Sequence, residues 1–320
     1  MGRKSTNYKL TTTNYRGGKV SRSKLLILLA TICIFLISPQ ITSAVEEPIS
    51  LKISPLTFKF SIDKGESKTE NVSLINPNDF EIKIQSEKED FVMEDEEGTP
   101  KFLPQGADGT SLADWISVSL DKFTLAPQET KDISFEIKVP EDGEPGGHYA
   151  AIFFKTVPEE VKGQTQMRVS GRVGALVLVS VPGEVSQIGE IVEFNVPKFI
   201  DKGPINFLAR FKNTGTVHYQ LTGKVKIYNW FGKEVGQIDL PEHIVLPDSI
   251  RRFAGEWGVK YLFGKYRADL EMKDGEGNLQ TTSLTFFAFP WKEGLIVLGS
   301  ILILLAAVII TKKKFKIVKK

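Results

Sequence analysis

Between Lys131 and Val139 the apolar residues Ile133, Phe135, Ile137 and Val139 alternate with Asp132, Ser134, Glu136 and Lys138. Successive side chains on a strand point to opposite faces, so this stretch reads as a half-buried β-strand with one wet face. Pro140 ends it, because proline cannot donate to a ladder. Gly143, Pro145, Gly146 and Gly147 supply a turn, and His148 to Phe154 then forms a strand that is apolar on both faces. A half-wet strand, a Pro/Gly corner and a buried strand opening on Gly-x-Tyr together predict an antiparallel sandwich of the immunoglobulin type. A sandwich strand needs only one apolar face, so the second face of 148–154 must be covered. The second half of the chain, the acidic stretch 86–114 or a partner could cover it.

The ends of the 320-residue chain do not belong to that sandwich. Residues 1–24 carry seven basic side chains and no acid, Leu25 to Ser38 is an apolar run of 14 residues, and Thr42-Ser43-Ala44 offers small residues for cleavage. This predicts a secretory signal peptide over 1–44, with an uncleaved signal anchor as the alternative. A second apolar run, Gly294 to Thr311, holds 18 residues without charge. At about 1.5 Å per residue it reaches roughly 27 Å, enough to span a hydrocarbon core. Trp291 precedes it, and six lysines follow in 312–320. The positive-inside rule therefore predicts a single-pass helix over 294–311, a basic cytoplasmic tail over 312–320, and an ectodomain that is extracellular or periplasmic.

The formal charge of +2 hides an asymmetry, because the ectodomain through Trp291 carries 27 basic against 38 acidic side chains. Bulk charge of that sign argues against nucleic acid as a partner. Cys33, the one cysteine, lies in the signal run, so the mature ectodomain has no disulfide, thiolate nucleophile or cysteine-based metal site. It must rest on its hydrophobic core.

Two sandwiches are expected, over 45–184 and 185–290, with Pro182-Gly183-Glu184 between them. The second repeats the punctuation of the first. Asn213-Thr214-Gly215 ends a strand as Asn76-Pro77-Asn78 does, Val245-Leu246-Pro247 matches Leu125-Ala126-Pro127, and Phe263-Gly264-Lys265-Tyr266 matches Gly146-Gly147-His148-Tyr149. Near the start, alternation changes phase at Pro55-Leu56, which predicts a bulge or a switch between sheets. Glu87, Glu89, Asp90 and Glu94 to Glu97 cluster in 86–114, read as a solvated excursion or a calcium loop, though the spacing matches no EF-hand.

Chemistry is sparse. The chain has no Gly-x-Ser-x-Gly elbow, phosphate loop, dinucleotide fingerprint or His-Glu-x-x-His. His148, His218 and His243 lack ligand spacing, so neither a metal nor a cofactor is expected. A carboxylate pair of the glycosidase kind has abundant raw material, but nothing nominates two residues. Tyr149 and Tyr266 each begin a buried strand after glycine, which suits a packing tyrosine whose hydroxyl bonds nearby backbone. With His148 they are the candidate contacts to a ligand or partner.

The signal, Ser54-Pro55, Trp115-Ile116, Leu125-Ala126-Pro127, Pro145-Gly146-Gly147-His148-Tyr149 and the terminal helix with its lysine tail resemble bacterial cell-surface proteins related to the WxL-interacting proteins. That resemblance implies two immunoglobulin-like modules before a membrane helix, the first binding peptidoglycan and the second docking partner surface proteins. No Trp-x-Leu triplet follows any of Trp115, Trp230, Trp257 or Trp291, and no sortase motif precedes the helix. The expected function is thus non-enzymatic: a membrane-anchored surface protein that binds peptidoglycan or other surface proteins. The alternative is an envelope chaperone or assembly factor that captures partner strands by β-augmentation.

Overall fold

The computed structural model describes residues 50–103, 111–157 and 171–314. The predicted signal segment 1–44 lies outside them, as do residues 315–320 of the predicted tail. The described residues fall in one compact unit, all-β apart from a four-residue helix and a C-terminal helix.

The first half contributes β1 (Lys52–Ser54), β2 (Thr57–Ser61), β3 (Ser67–Ile75), β4 (Ile82–Met93), β5 (Pro100–Leu103), the short helix α1 (Leu112–Trp115), β6 (Ile116–Val118), β7 (Lys122–Leu125), β8 (Thr130–Lys138), β9 (Gly146–Thr156) and β10 (Arg172–Val181). One sheet has the order β1-β3-β8-β6; the other runs β2-β10-β9-β4-β5, with β7 also on β4. The alternating strand is β8, and its Ile133, Phe135 and Ile137 are buried in a core shared with Val72 and Leu74 of β3 and Ile152 and Phe154 of β9. The phase change at Pro55-Leu56 is a sheet switch. β1 pairs antiparallel with β3, whereas β2, two residues later, pairs parallel with β10 in the opposite sheet.

The second half contributes β11 (Gly189–Asn195), β12 (Phe199–Ile200), β13 (Ile205–Asn213), β14 (Tyr219–Asn229), β15 (Glu234–Val245), β16 (Ile250–Trp257), β17 (Gly264–Lys273) and β18 (Leu279–Ala288). A three-stranded sheet, β11-β13-β16, faces a five-stranded one, β12-β18-β17-β14-β15. Their core is separate from the first and centres on Phe207, Phe211, Phe253, Leu270 and Phe286.

The repeated punctuation has a physical basis. Asn76 and Asn213 are fully buried at the ends of equivalent strands. The Asn76 side-chain amide donates to the carbonyls of Phe80, Leu125 and Ala126, and that of Asn213 to those of Val217 and Val245. Each carboxamide thus ties its strand end to the matching Leu-Ala-Pro or Val-Leu-Pro loop, where Gln128 and Asp248 both adopt φ of 58°.

The C-terminal helix, α2 (Trp291–Lys314), begins three residues before the predicted start and extends beyond the predicted end. Residues Trp291–Lys312 are long and apolar enough to cross a membrane by length and composition, and none of that stretch is buried against the protein.

Candidate functional site

The outer face of β9 answers the question its composition poses. Ala150, Ile152 and Phe154 enter the first core, while Tyr149 and Phe153 point the other way. Phe102 of β5 stands edge-on to Phe153 at 4.7 Å between centroids, and the guanidinium of Arg172 lies 3.4 Å from the centre of the Phe153 ring. Further along, Phe91, Leu178 and Leu246 are buried together against Tyr149, Leu176 and Ile244. Leu246 and Ile244 come from the second half of the chain, so both the 86–114 stretch and the second sandwich cover this face.

The junction between the two sandwiches is further closed by polar contacts. The Tyr149 hydroxyl accepts a hydrogen bond from the His218 amide at 3.1 Å, and the Gly147 amide donates to the Thr216 carbonyl at 2.9 Å. The turn between β4 and β5 reaches across as a clasp. Arg210 of β13 donates to both carboxylate oxygens of Glu96 and, through Nη1, to Glu193. Arg252 bonds Glu97 at 2.6 Å, and its amide donates to the Glu96 carbonyl. Gly98 sits in this turn at φ 82°, and a Cβ there would collide with the Arg251 guanidinium. Only glycine combines that backbone with so close an approach. The acidic excursion, expected to be solvated, is in this part a bridge. Among the described residues no group of three or more His, Cys, Asp or Glu is placed to hold a metal ion.

Beside the clasp lies a cleft of about 310 Å³ lined by Thr57, Lys59, Leu176, Glu242, His243 and Arg251, among others. The Nε of Arg251 and the Nδ1 of His218 are buried without a hydrogen-bond partner. Burial, reinforced by the Lys59 charge, pushes the His218 imidazole down to about 4, and burial lowers the Arg251 guanidinium. Burial raises the Tyr149 phenol well above its usual range. These groups favour uncharged states or counter-charges; they do not assemble a nucleophile with a base.

A second feature lies on the first sandwich. β2 covers β10 only from Leu176 to Ser180, and on that side Arg172 to Ala175 have no strand partner among the described residues. The Leu176 amide donates to the Leu56 carbonyl at 2.9 Å. By the two-residue period of a strand, the amides of Gly174 and Arg172 point to the same, open side. The sheet switch causes this, since the chain joins β10 only after crossing from the other sheet.

The three predicted contact residues do not converge. His148 is buried, its Nε2 2.9 Å from the Glu144 carbonyl and its ring against Trp115. Tyr266 is buried in the second core between Trp257 and Phe286, its hydroxyl bonded to the amide and carbonyl of Phe263. Tyr149 alone lies at the junction. Glu96, Arg210, His218 and Arg251 were missed by sequence reasoning. The cluster Glu94 to Glu97 was the available signal for the first of them, and the other three had none.

No protein-family model matches the chain, and neither does any curated protein. Among solved structures, the chain is similar to the E. coli chaperone DraB at 16% identity, over 75% of this chain and 98% of that one, with a TM-score of 0.37. The Salmonella enterica SafA pilin–SafB chaperone complex gives 14% identity, 75% and 97% coverage, and a TM-score of 0.34. The PapD-like domain 7 of human CEP192 gives 13% identity, 46% and 95% coverage, and a TM-score of 0.31.

Proposed function

We propose that the chain is a membrane-anchored, non-enzymatic binding protein of the cell envelope, and that it takes up an extended segment of a partner protein along the open half of β10. The observation that supports this reading is the incomplete pairing of β10 over Arg172–Ala175. A sheet edge with free amides and carbonyls is a template for an added strand, in which backbone bonds give affinity and alternate side chains give selectivity. Val173, Leu51 and Ile53 are only partly buried at the margin of the first core, so inward side chains of an added strand would complete it. The apolar, unburied α2 would hold the protein at the membrane with the sandwiches outside. The resemblance to WxL-interacting proteins implies peptidoglycan binding by the first module and partner docking by the second, so it lends no support to a partner on β10 of the first. Cell-wall polymer has no comparable feature in its favour.

The test compares two substitutions in the full-length chain. Arg172→Ala removes the side chain but keeps the outward amide, whereas Arg172→Pro removes that amide without touching the β9 ladder. After cross-linking in cells and purification, a protein captured by the wild-type and Arg172→Ala chains should be lost with Arg172→Pro. Equal capture by both variants, or no captured protein with the wild type, would overturn the reading.

A further inference from the structure

The strand register of the second sandwich gathers its exposed aromatic residues at one end. Asn229, the last residue of β14, lies opposite Tyr266 of β17, and Gly264, the first residue of β17, lies opposite Ala288 of β18. The β14–β15 turn, the loop leading into β17 and the end of β18 therefore sit together. From this end α2 departs. Here Trp230 and Phe231 at the hairpin tip are 73% and 79% exposed, and Phe199, Tyr261, Phe263 and Phe289 are exposed beside them. In the first sandwich Phe80 alone among the described aromatic residues is exposed.

The tip is built to present its rings. The Asn229 side-chain oxygen accepts from the amides of Phe231 and Lys233, and Gly232 turns the chain at φ 79°. Trp230 and Phe231 contact each other at 4.6 Å between centroids. Exposed Lys198, Lys202, Lys233, Lys260 and Lys265 lie at this end and outnumber the exposed acids Glu234 and Glu256 among them, on an ectodomain that is acidic as a whole.

The link to the helix has no slack. The Phe289 amide is still bonded to the Ile200 carbonyl, and the Gly294 amide already donates to the Pro290 carbonyl. Lys292 in the first turn of α2 is paired with Asp201 at 2.7 Å. Aromatic rings with a polar rim of lysines suit the boundary between headgroups and acyl chains. β14 lies two strands from β18, so the tip stands roughly 10 Å to the side of the helix.

We propose that this end of the second sandwich is seated in the interface of the bilayer that α2 crosses, with Trp230 and Phe231 as a second foothold beside the helix. The proposal rests on reading α2 as a membrane span, and is independent of what binds β10. One helix alone can tilt in the bilayer and carry the closely linked ectodomain with it; two footholds fix that tilt and so the direction in which the first sandwich faces.

The experiment uses the full chain with Cys33→Ser, reconstituted at one chain per nanodisc of phosphatidylcholine and phosphatidylglycerol. Spin labels are placed singly through Lys233→Cys at the tip, Leu302→Cys in α2 and Asp79→Cys in the first sandwich. Accessibility to oxygen relative to a water-soluble nickel reagent should be several-fold higher at 233 than at 79, and higher still at 302. Adding Trp230→Ser and Phe231→Ser should return position 233 to the value at 79 while the thermal midpoint holds, since both rings are exposed. A water-like value at 233 with 302 embedded would overturn the foothold alone. A water-like value at 302 would remove the span reading and the foothold with it. Protection at 233 that appears only with several chains per disc would identify a second copy as the occupant, and would overturn the proposal too.

Discussion

Arg210 holds both carboxylate oxygens of Glu96, a residue 114 positions earlier in the chain, and so joins the second sandwich to the first. Hydrogen bonds from Arg210 hold the Glu96 carboxyl below its usual range, against a smaller opposing effect of burial, and the charges of Arg210 and Arg252 add to them. A carboxylate more acidic in the folded state stabilises it above the unfolded value, 4.5, and that contribution is lost as pH falls through the lower, folded value. Both side chains keep about a third of their surface in water, so the effect is modest. Glu96→Gln should lower the thermal midpoint by roughly 1–3 °C at neutral pH, less at high salt, and not at all once Glu96 is protonated. Hydrogen exchange at the Arg252 amide, whose acceptor is the Glu96 carbonyl, should quicken in the variant.

His218 gives the junction a second and earlier acid sensitivity. Its imidazole is held neutral down to about 4, chiefly by burial and then by Lys59, whereas in the unfolded chain it takes up a proton near 6.5. The unfolded state therefore binds the proton first. Stability from this residue is complete above about pH 6.5 and declines as pH falls toward 4, by on the order of 2–3 kcal/mol. Denaturation midpoints measured from pH 7 to 4.5 should fall for the wild type. His218→Phe should flatten most of that decline, leaving a smaller slope from His243, which burial also lowers.

Much of this architecture was legible in the sequence because it rests on period and punctuation. Ile133, Phe135 and Ile137 alternate in the sequence and are buried in the structure. The phase change at Pro55 is a sheet switch, and the surplus apolar face of 148–154 is covered from within. What could not be read joins residues far apart. Glu94 to Glu97 have one composition whether they face water or two arginines. Tyr149 and Tyr266 follow glycine in the same way. Yet one hydroxyl bonds backbone three residues away, while the other meets an amide 69 residues on. Local sequence carries no record of that difference. The open half of β10 is similarly silent, since it depends on where β2 stops pairing.

The two buried asparagines should be equally costly to lose. Removing Asn76 takes the side-chain donor from the Leu125 carbonyl, and removing Asn213 takes it from those of Val217 and Val245, all in buried bonds that water replaces poorly. Asn76→Ala and Asn213→Ala should each destabilise by about 2–4 kcal/mol in chemical denaturation. A loss from one substitution but not the other would mean that the repeated Asn-to-loop tie is not an equivalent device in the two sandwiches.

The matching left-handed residues should part company on substitution. Gln128 and Asp248 share φ of 58°, where a side chain costs on the order of 1 kcal/mol that glycine avoids. The Gln128 side-chain amide also donates to the carbonyls of Pro77 and Asn78, at 2.7 and 3.1 Å. Gln128→Gly would relieve the backbone but remove both side-chain bonds, leaving the Asn78 carbonyl only the amide of residue 128, so it should destabilise by about 0.5–1.5 kcal/mol. At Asp248 the backbone preference dominates, and Asp248→Gly should be neutral or stabilise by up to about 1 kcal/mol. A β-branched residue aggravates the strain, so Asp248→Val should cost more than about 1 kcal/mol. Melting the three variants beside the wild type checks the order Asp248→Gly above Gln128→Gly; the reverse order would show that the Gln128 bonds contribute less than the backbone strain they accompany.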